Sequence, residues 1–157
     1  MRAGDGHVHT HFTGWRVSRG AAEFFEALGH RVSHGIFRPP PMDVDGYFEC
    51  IQECRARFPQ LTIRSAVELG EPHWRPDAAG ALLRRGQFDL VVAALHSLPS
   101  TDGGYGEVSD AYLERSAPDV LRAYLTETVQ MIESWDELDA LAHIDYAVRS
   151  WPGDQAP

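Results

Sequence analysis

A chain of 157 residues with 43% hydrophobic content is long enough to form one domain with a buried core, and it carries no repeat or low-complexity segment. The formal net charge of -9 argues against nucleic acid as the main partner, because binding a phosphate backbone needs a basic surface. No apolar run approaches a membrane span, and Met1-Arg2-Ala3-Gly4-Asp5 passes into polar residues without a signal-peptide core, so a cytoplasmic protein with no membrane partner is expected.

The first predicted element is a strand over residues 5–11, Asp5-Gly6-His7-Val8-His9-Thr10-His11. Alternation along a strand sends His7, His9 and His11 to one side, where neighbouring imidazoles can converge on a divalent ion. Chance supplies only about 0.02 such His-x-His-x-His runs in a chain of this composition. Ala21, Phe24, Phe25 and Leu28 then form a helical stripe closed by Gly29, with His30 beside the negative end of the helix dipole. A second strand is expected over 31–37, followed by a loop at Pro39-Pro40-Pro41.

Asp45 is placed to cap a helix that buries Phe48, Ile51 and Cys54 and stops before Pro59. Cys50 and Cys54, the only cysteines, are too few for a disulfide framework and read as helix residues. The third strand is expected over 61–68, a helix from Asp77 to Gly86, and a fourth strand over 88–95 whose apolar run suits burial on both faces. A Gly- and Ser-rich loop over 97–115 leads to Ser116-Ala117-Pro118-Asp119, the start of a long helix through Leu121, Tyr124, Thr128 and Ile132. Residues 138–144 read as the fifth strand. Strands alternating with helices imply right-handed βαβ units and a largely parallel sheet, open or rolled toward a barrel.

Ligand-type residues fall at the ends of these strands. His7 and His9 lie on the first, Glu68 ends the third, His96 follows the fourth, and His143 with Asp145 follows the fifth. In parallel α/β folds the carboxyl ends of the strands share one face, so these sequence-distant residues are expected to converge. Glu71 and His73 read as loop residues just beyond Glu68, within reach of the same rim. Asp145 is placed either to orient His143 or to cap the next turn.

Asp5-Gly6-His7-Val8-His9-Thr10, Val67-Glu68-Leu69-Gly70-Glu71-Pro72-His73, Leu95-His96-Ser97-Leu98-Pro99 and Leu141-Ala142-His143-Ile144-Asp145-Tyr146 resemble, in order, motifs of the PHP (polymerase and histidinol phosphatase) superfamily, most closely its histidinol-phosphatases. The resemblance covers residues 4–10 and runs from about Val44 to Pro152. It implies an α/β fold of the distorted (β/α)7 TIM-like barrel type, with about five βα units in this single domain of residues 1–157. It also implies two or three divalent metal ions (Zn, Mn or Fe) and hydrolysis of a small phosphorylated substrate, L-histidinol phosphate in histidine biosynthesis.

Carried over by position, His7, His9, Glu68, His96 and His143 are the implied metal ligands, with His34 as the candidate from the second motif. Glu68, which matches a metal-bridging carboxylate, and His96 are the implied catalytic residues. Arg149 matches an arginine that holds the substrate phosphate, a task suited to a planar guanidinium. The implied chemistry is in-line attack of metal-activated water on phosphorus.

The pattern is incomplete. Trp15 stands where the family has an acid or histidine; tryptophan cannot bind these metals, and His11 is the nearest substitute. A final Asp-x-His motif would lie beyond Pro157, so the domain reads as incomplete at its C-terminal end, with a sheet edge open to a second copy of the chain. The alternative to a phosphatase is therefore a catalytically incomplete remnant with a binding or oligomerisation role.

Overall fold

In the computed structural model the described residues are 41–101 and 103–153, together with the strand backbones 9–10, 15–16, 32–33 and 36–37. His7, His11, His34 and the helix expected over 21–28 lie outside them. The chain order is β1 (His9–Thr10), β2 (Trp15–Arg16), β3 (Val32–Ser33), β4 (Ile36–Phe37), α1 (Val44–Arg57), β5 (Ala66–Gly70), α2 (Pro76–Leu83), β6 (Leu90–Ala94), β7 (Ser97–Pro99), β8 (Tyr105–Glu107), α3 (Val108–Ala111), α4 (Ala117–Ser134) and β9 (Ala140–Leu141). Two 3-10 turns, Pro72–Trp74 and Tyr146–Ser150, follow β5 and β9.

The expected parallel sheet is present as four strands in the order β1-β5-β6-β9, every neighbouring pair parallel. Single strands expected elsewhere are differently built. The segment 31–37 is two short strands, Val32 pairing Phe37 and Ser33 pairing Ile36 antiparallel, in a separate sheet with β2. The stretch expected as a loop over 97–115 holds the β7–β8 ladder and α3. The apolar and Gly/Ser composition hid a ladder only three residues long.

Alternation positions the core on one side of the sheet. Val67 and Leu69 of β5, with Ala93 and Leu95 in and just after β6, are fully buried and pack with Ala79 of α2 and Val120, Tyr124, Met131 and Trp135 in and beside α4. Each large aliphatic side chain buried this way stabilises the fold by roughly 1.5–3 kcal/mol. The buried stripe of α4 is Val120, Tyr124, Thr128 and Met131; Ile132, expected on it, is 45% exposed because it lies one position round the helix from Met131. The sheet is also less enclosed than expected, since β6 is buried only toward its carboxyl end, from Ala93 onward.

α1 begins one residue before Asp45, and the capping residue is Asp43, whose Oδ1 accepts the Gly46 N–H at 3.1 Å. Asp45 instead lies in the first turn, where its charge favours the positive end of the dipole. Ile51 is buried as expected, while Phe48 and Cys54 are half-buried. Phe48 packs on Phe88, ring centroids 5.0 Å apart, and a Cβ at Gly86 would meet the Phe48 ring at 2.0 Å, so glycine is required there. The Tyr47 hydroxyl donates to the Ala66 carbonyl and accepts the Ala66 N–H, both at 3.0 Å. That pair ties α1 to the first residue of the strand that carries Glu68.

Candidate metal centre

Glu68 sits in the middle of β5, one residue out of phase with the core residues Val67 and Leu69, so its side chain points to the opposite face. It is nonetheless only 4% exposed. Register then selects its neighbours: Glu68 pairs with Val92 and Gly70 with Ala94, and continuing the alternation brings His96 to the same face. The His96 Nε2 atom lies 3.4 Å from Glu68 Oε1. On the other side, His9 of β1 is the register partner of Glu68.

His143 reaches the cluster by a different route. Leu141 pairs with Ala93 and packs on the core, so simple alternation would send residue 143 to the core face as well. His143 instead has φ 53°, and this left-handed residue breaks the alternation. Its Nε2 comes within 3.6 Å of Glu68 Oε1. Left-handed backbone costs a non-glycine residue about 1 kcal/mol or more, which the fold offsets by anchoring the bend. The Tyr124 hydroxyl, from the buried face of α4, donates to the His143 carbonyl at 2.5 Å.

Glu68, His96 and His143 thus each present a ligand atom within 4.8 Å of the others. A cation held at ordinary Zn–N and Zn–O lengths would set its donors about 3.3 Å apart. The two separations from Glu68, 3.4 and 3.6 Å, are close to this, all three ligand atoms lie within 4.8 Å of one another, and one carboxylate with two imidazoles suits Zn, Mn or Fe. The residues therefore fit a divalent ion. The side chains of His7, His9 and His34 lie outside the described residues.

Arg149, expected at the substrate phosphate, stands on the exposed rim of this cluster, its Nη2 atom 3.3 Å from His143 Nδ1 and its guanidinium 5.2 Å from the Tyr146 ring centre. Tyr146 meets His96 edge-on at 4.9 Å and donates to Glu107 Oε2 at 3.3 Å. Burial, with the nearby Glu107 carboxylate, pushes the Tyr146 phenol up to about 12. Burial likewise raises Glu107 above the usual carboxylate range. Asp145 begins the 3-10 turn without a side-chain cap bond.

The residue that sequence reasoning undervalued is Glu71. It is not a surface loop residue: it is 5% exposed, has φ 46°, and its Oε1 accepts the backbone N–H groups of His96 and Ser97 at 2.5 and 2.9 Å. Burial pushes its carboxyl up to about 7, against the lowering effect of those two amides; the Glu107 and Glu68 charges add to the rise. The signals in the sequence pointed elsewhere, because a residue before proline favours extended backbone and Pro72 follows. His73 is also structural, its Nε2 2.9 Å from Glu127 Oε1, which accepts the Trp74 indole N–H at 2.8 Å as well.

No protein-family model matches the chain. Among curated proteins it is similar to the histidinol-phosphatase of Lactococcus lactis subsp. lactis, at 23% identity over 97% of this chain and 60% of that protein. Among solved structures it is similar to the crystal structure of histidinol phosphate phosphatase from the same organism, complexed with zinc, L-histidinol and phosphate. That match has a TM-score of 0.66 and 21% identity, covering 94% of this chain and 60% of that one. The resemblance read from the motifs is thus met in both comparisons, and the chain spans about 60% of the length of the relatives it matches.

Proposed function

We propose that this chain carries the metal centre of a phosphate monoester hydrolase of the histidinol-phosphatase type, acting on L-histidinol phosphate. The observation that carries the reading is the Glu68, His96 and His143 cluster, in which one buried carboxylate oxygen faces two imidazoles drawn from different strand ends. The relative solved with zinc, L-histidinol and phosphate supports the choice of ion and substrate.

Glu68, His96 and His143 would hold one divalent ion, and His9, in register with Glu68 on β1, and His7 and His34 are the further ligands for a second or third. Ions bound there would supply Lewis-acid stabilisation of the phosphoryl oxygens and a nucleophile from water at neutral pH. The chain's own residues do the remaining work. Arg149, on the rim beside His143, offers a planar fork to the phosphate oxygens where negative charge develops. Tyr146, whose hydroxyl donates to Glu107, packs against both His96 and Arg149 and walls that side of the site. The Tyr124 hydroxyl and the Tyr146 N–H, both donating to the His143 carbonyl, hold the bend that aims His143.

The test is phosphate release from a panel of small monoesters, L-histidinol phosphate among them, by the purified chain with Zn, Mn or Fe supplied in turn. The reading predicts metal-dependent turnover of L-histidinol phosphate that is lost in Glu68→Gln. Metal uptake without turnover of any ester would move the chain to the alternative, a binding remnant.

A further inference from the structure

Glu71 is a buried carboxylate that belongs to none of the implied ligand positions, yet it is built into the centre. Two observations on it are independent. The first is its backbone: among the described residues only Glu71 and His143 are non-glycine residues in the left-handed region, and both stand at this cluster. The second is its side chain: a single oxygen, Oε1, accepts the amides of His96 and Ser97, the residues at which β6 gives way to β7. Its backbone N–H continues the ladder by donating to the Ala94 carbonyl at 2.9 Å. Glu71 therefore grips β6 on both sides of Leu95, by main chain before it and by side chain after it.

Without that grip the His96 and Ser97 amides would be buried donors at the end of a strand, free to turn toward other acceptors. With it, the peptide plane preceding His96 is held, and the direction of the His96 Cβ follows. We propose that Glu71 is a positioning residue for the metal centre, setting the His96 imidazole opposite Glu68 through the two amides it accepts; the inference rests on the metal-centre reading above. Residues that orient metal ligands typically change metal affinity by about 10–100-fold when removed. The His96 Nδ1 atom lies 4.0 Å from the same oxygen, so the grip runs chiefly through the backbone amides.

The experiment uses the full chain as two variants. Glu71→Gly removes the carboxylate while relieving the left-handed backbone, so loss of function does not follow from added strain. Glu71→Gln keeps an acceptor oxygen at the same place. Amide hydrogen exchange at His96 and Ser97 in the metal-free chain is expected to rise at least about tenfold in Glu71→Gly and to stay near wild type in Glu71→Gln. Zinc affinity by chelator competition is expected to fall about 10–100-fold in Glu71→Gly and to return to within a few-fold in Glu71→Gln. Unchanged exchange at His96 in Glu71→Gly, zinc affinity within twofold of wild type there, or a Gln variant no better than Gly overturns the assignment. A wild-type chain that takes up no zinc overturns the metal-centre reading instead, and the exchange data alone then decide whether Glu71 holds the strand end.

Discussion

The Glu68 carboxylate, on the middle of β5, and the His143 imidazole, beyond the end of β9, approach to 3.6 Å although a whole strand, β6, lies between theirs in the sheet. The approach requires the left-handed bend at His143, whose carbonyl accepts both the Tyr146 N–H at 2.8 Å and the Tyr124 hydroxyl at 2.5 Å, the latter tying the bend to α4. Replacing Tyr124 with Phe keeps the ring in the core and leaves the His143 carbonyl without that donor. A loss of about 1 kcal/mol of stability is expected, read as a lower denaturation midpoint, together with a several-fold weaker affinity for zinc.

Glu68 is the oxygen donor shared by both imidazoles, so its amide analogue should be the most damaging single change at the centre. Glu68→Gln keeps the volume but removes the negative charge that offsets a divalent ion. Metal affinity is expected to fall at least about 100-fold, while the circular dichroism spectrum stays that of the wild type.

Arg149 stands outside the donor triangle, exposed on its rim. Arg149→Ala should leave metal content unchanged and weaken inhibition by inorganic phosphate about tenfold or more. Arg149→Lys should recover only part of that affinity, since an ammonium cannot make the two parallel bonds of a guanidinium. Equal weakening of metal and phosphate binding would place Arg149 in the structural frame instead.

In the metal-free chain Glu71 gives stability a pH dependence of known sign. Its carboxyl is raised from 4.5 to about 7 in the folded state, so below about 4.5 both states are protonated and its contribution is fully present. As pH rises from 4.5 through 7 the unfolded chain releases the proton first, and stability falls, by an order of 3 kcal/mol at most. Glu71→Gln has no such proton to lose. Denaturant titrations from pH 4.5 to 8 should therefore show the wild type losing stability relative to Glu71→Gln as pH rises, with the difference levelling off above pH 7.

The sheet, and the meeting of Glu68, His96 and His143 on one face of it, were legible because hydrophobic alternation marks strands and parallel strands share one end, although Glu68 stands in the middle of β5 and not at its end as expected. What escaped were features written in backbone geometry instead of composition. Glu71 before Pro72 gave no sign of a left-handed residue, and its burial depends on amides 25 and 26 positions away in the chain. The β7–β8 ladder is three residues long, too short for periodicity to register, and the cap of α1 fell to Asp43 instead of Asp45 because either aspartate satisfies the same local rule. Tyr124 was visible only as part of an apolar stripe; nothing local marks a hydroxyl that will meet a carbonyl beyond the next strand.

The metal centre stands or falls on the divalent-metal content of the purified chain by elemental analysis after loosely held ions are removed, compared with a Glu68→Gln, His96→Ala, His143→Ala triple variant. At least one ion retained per wild-type chain, and none by the variant, is expected if Glu68, His96 and His143 hold the metal. A wild-type chain that retains no ion, or a triple variant that retains as much as the wild type, would contradict it.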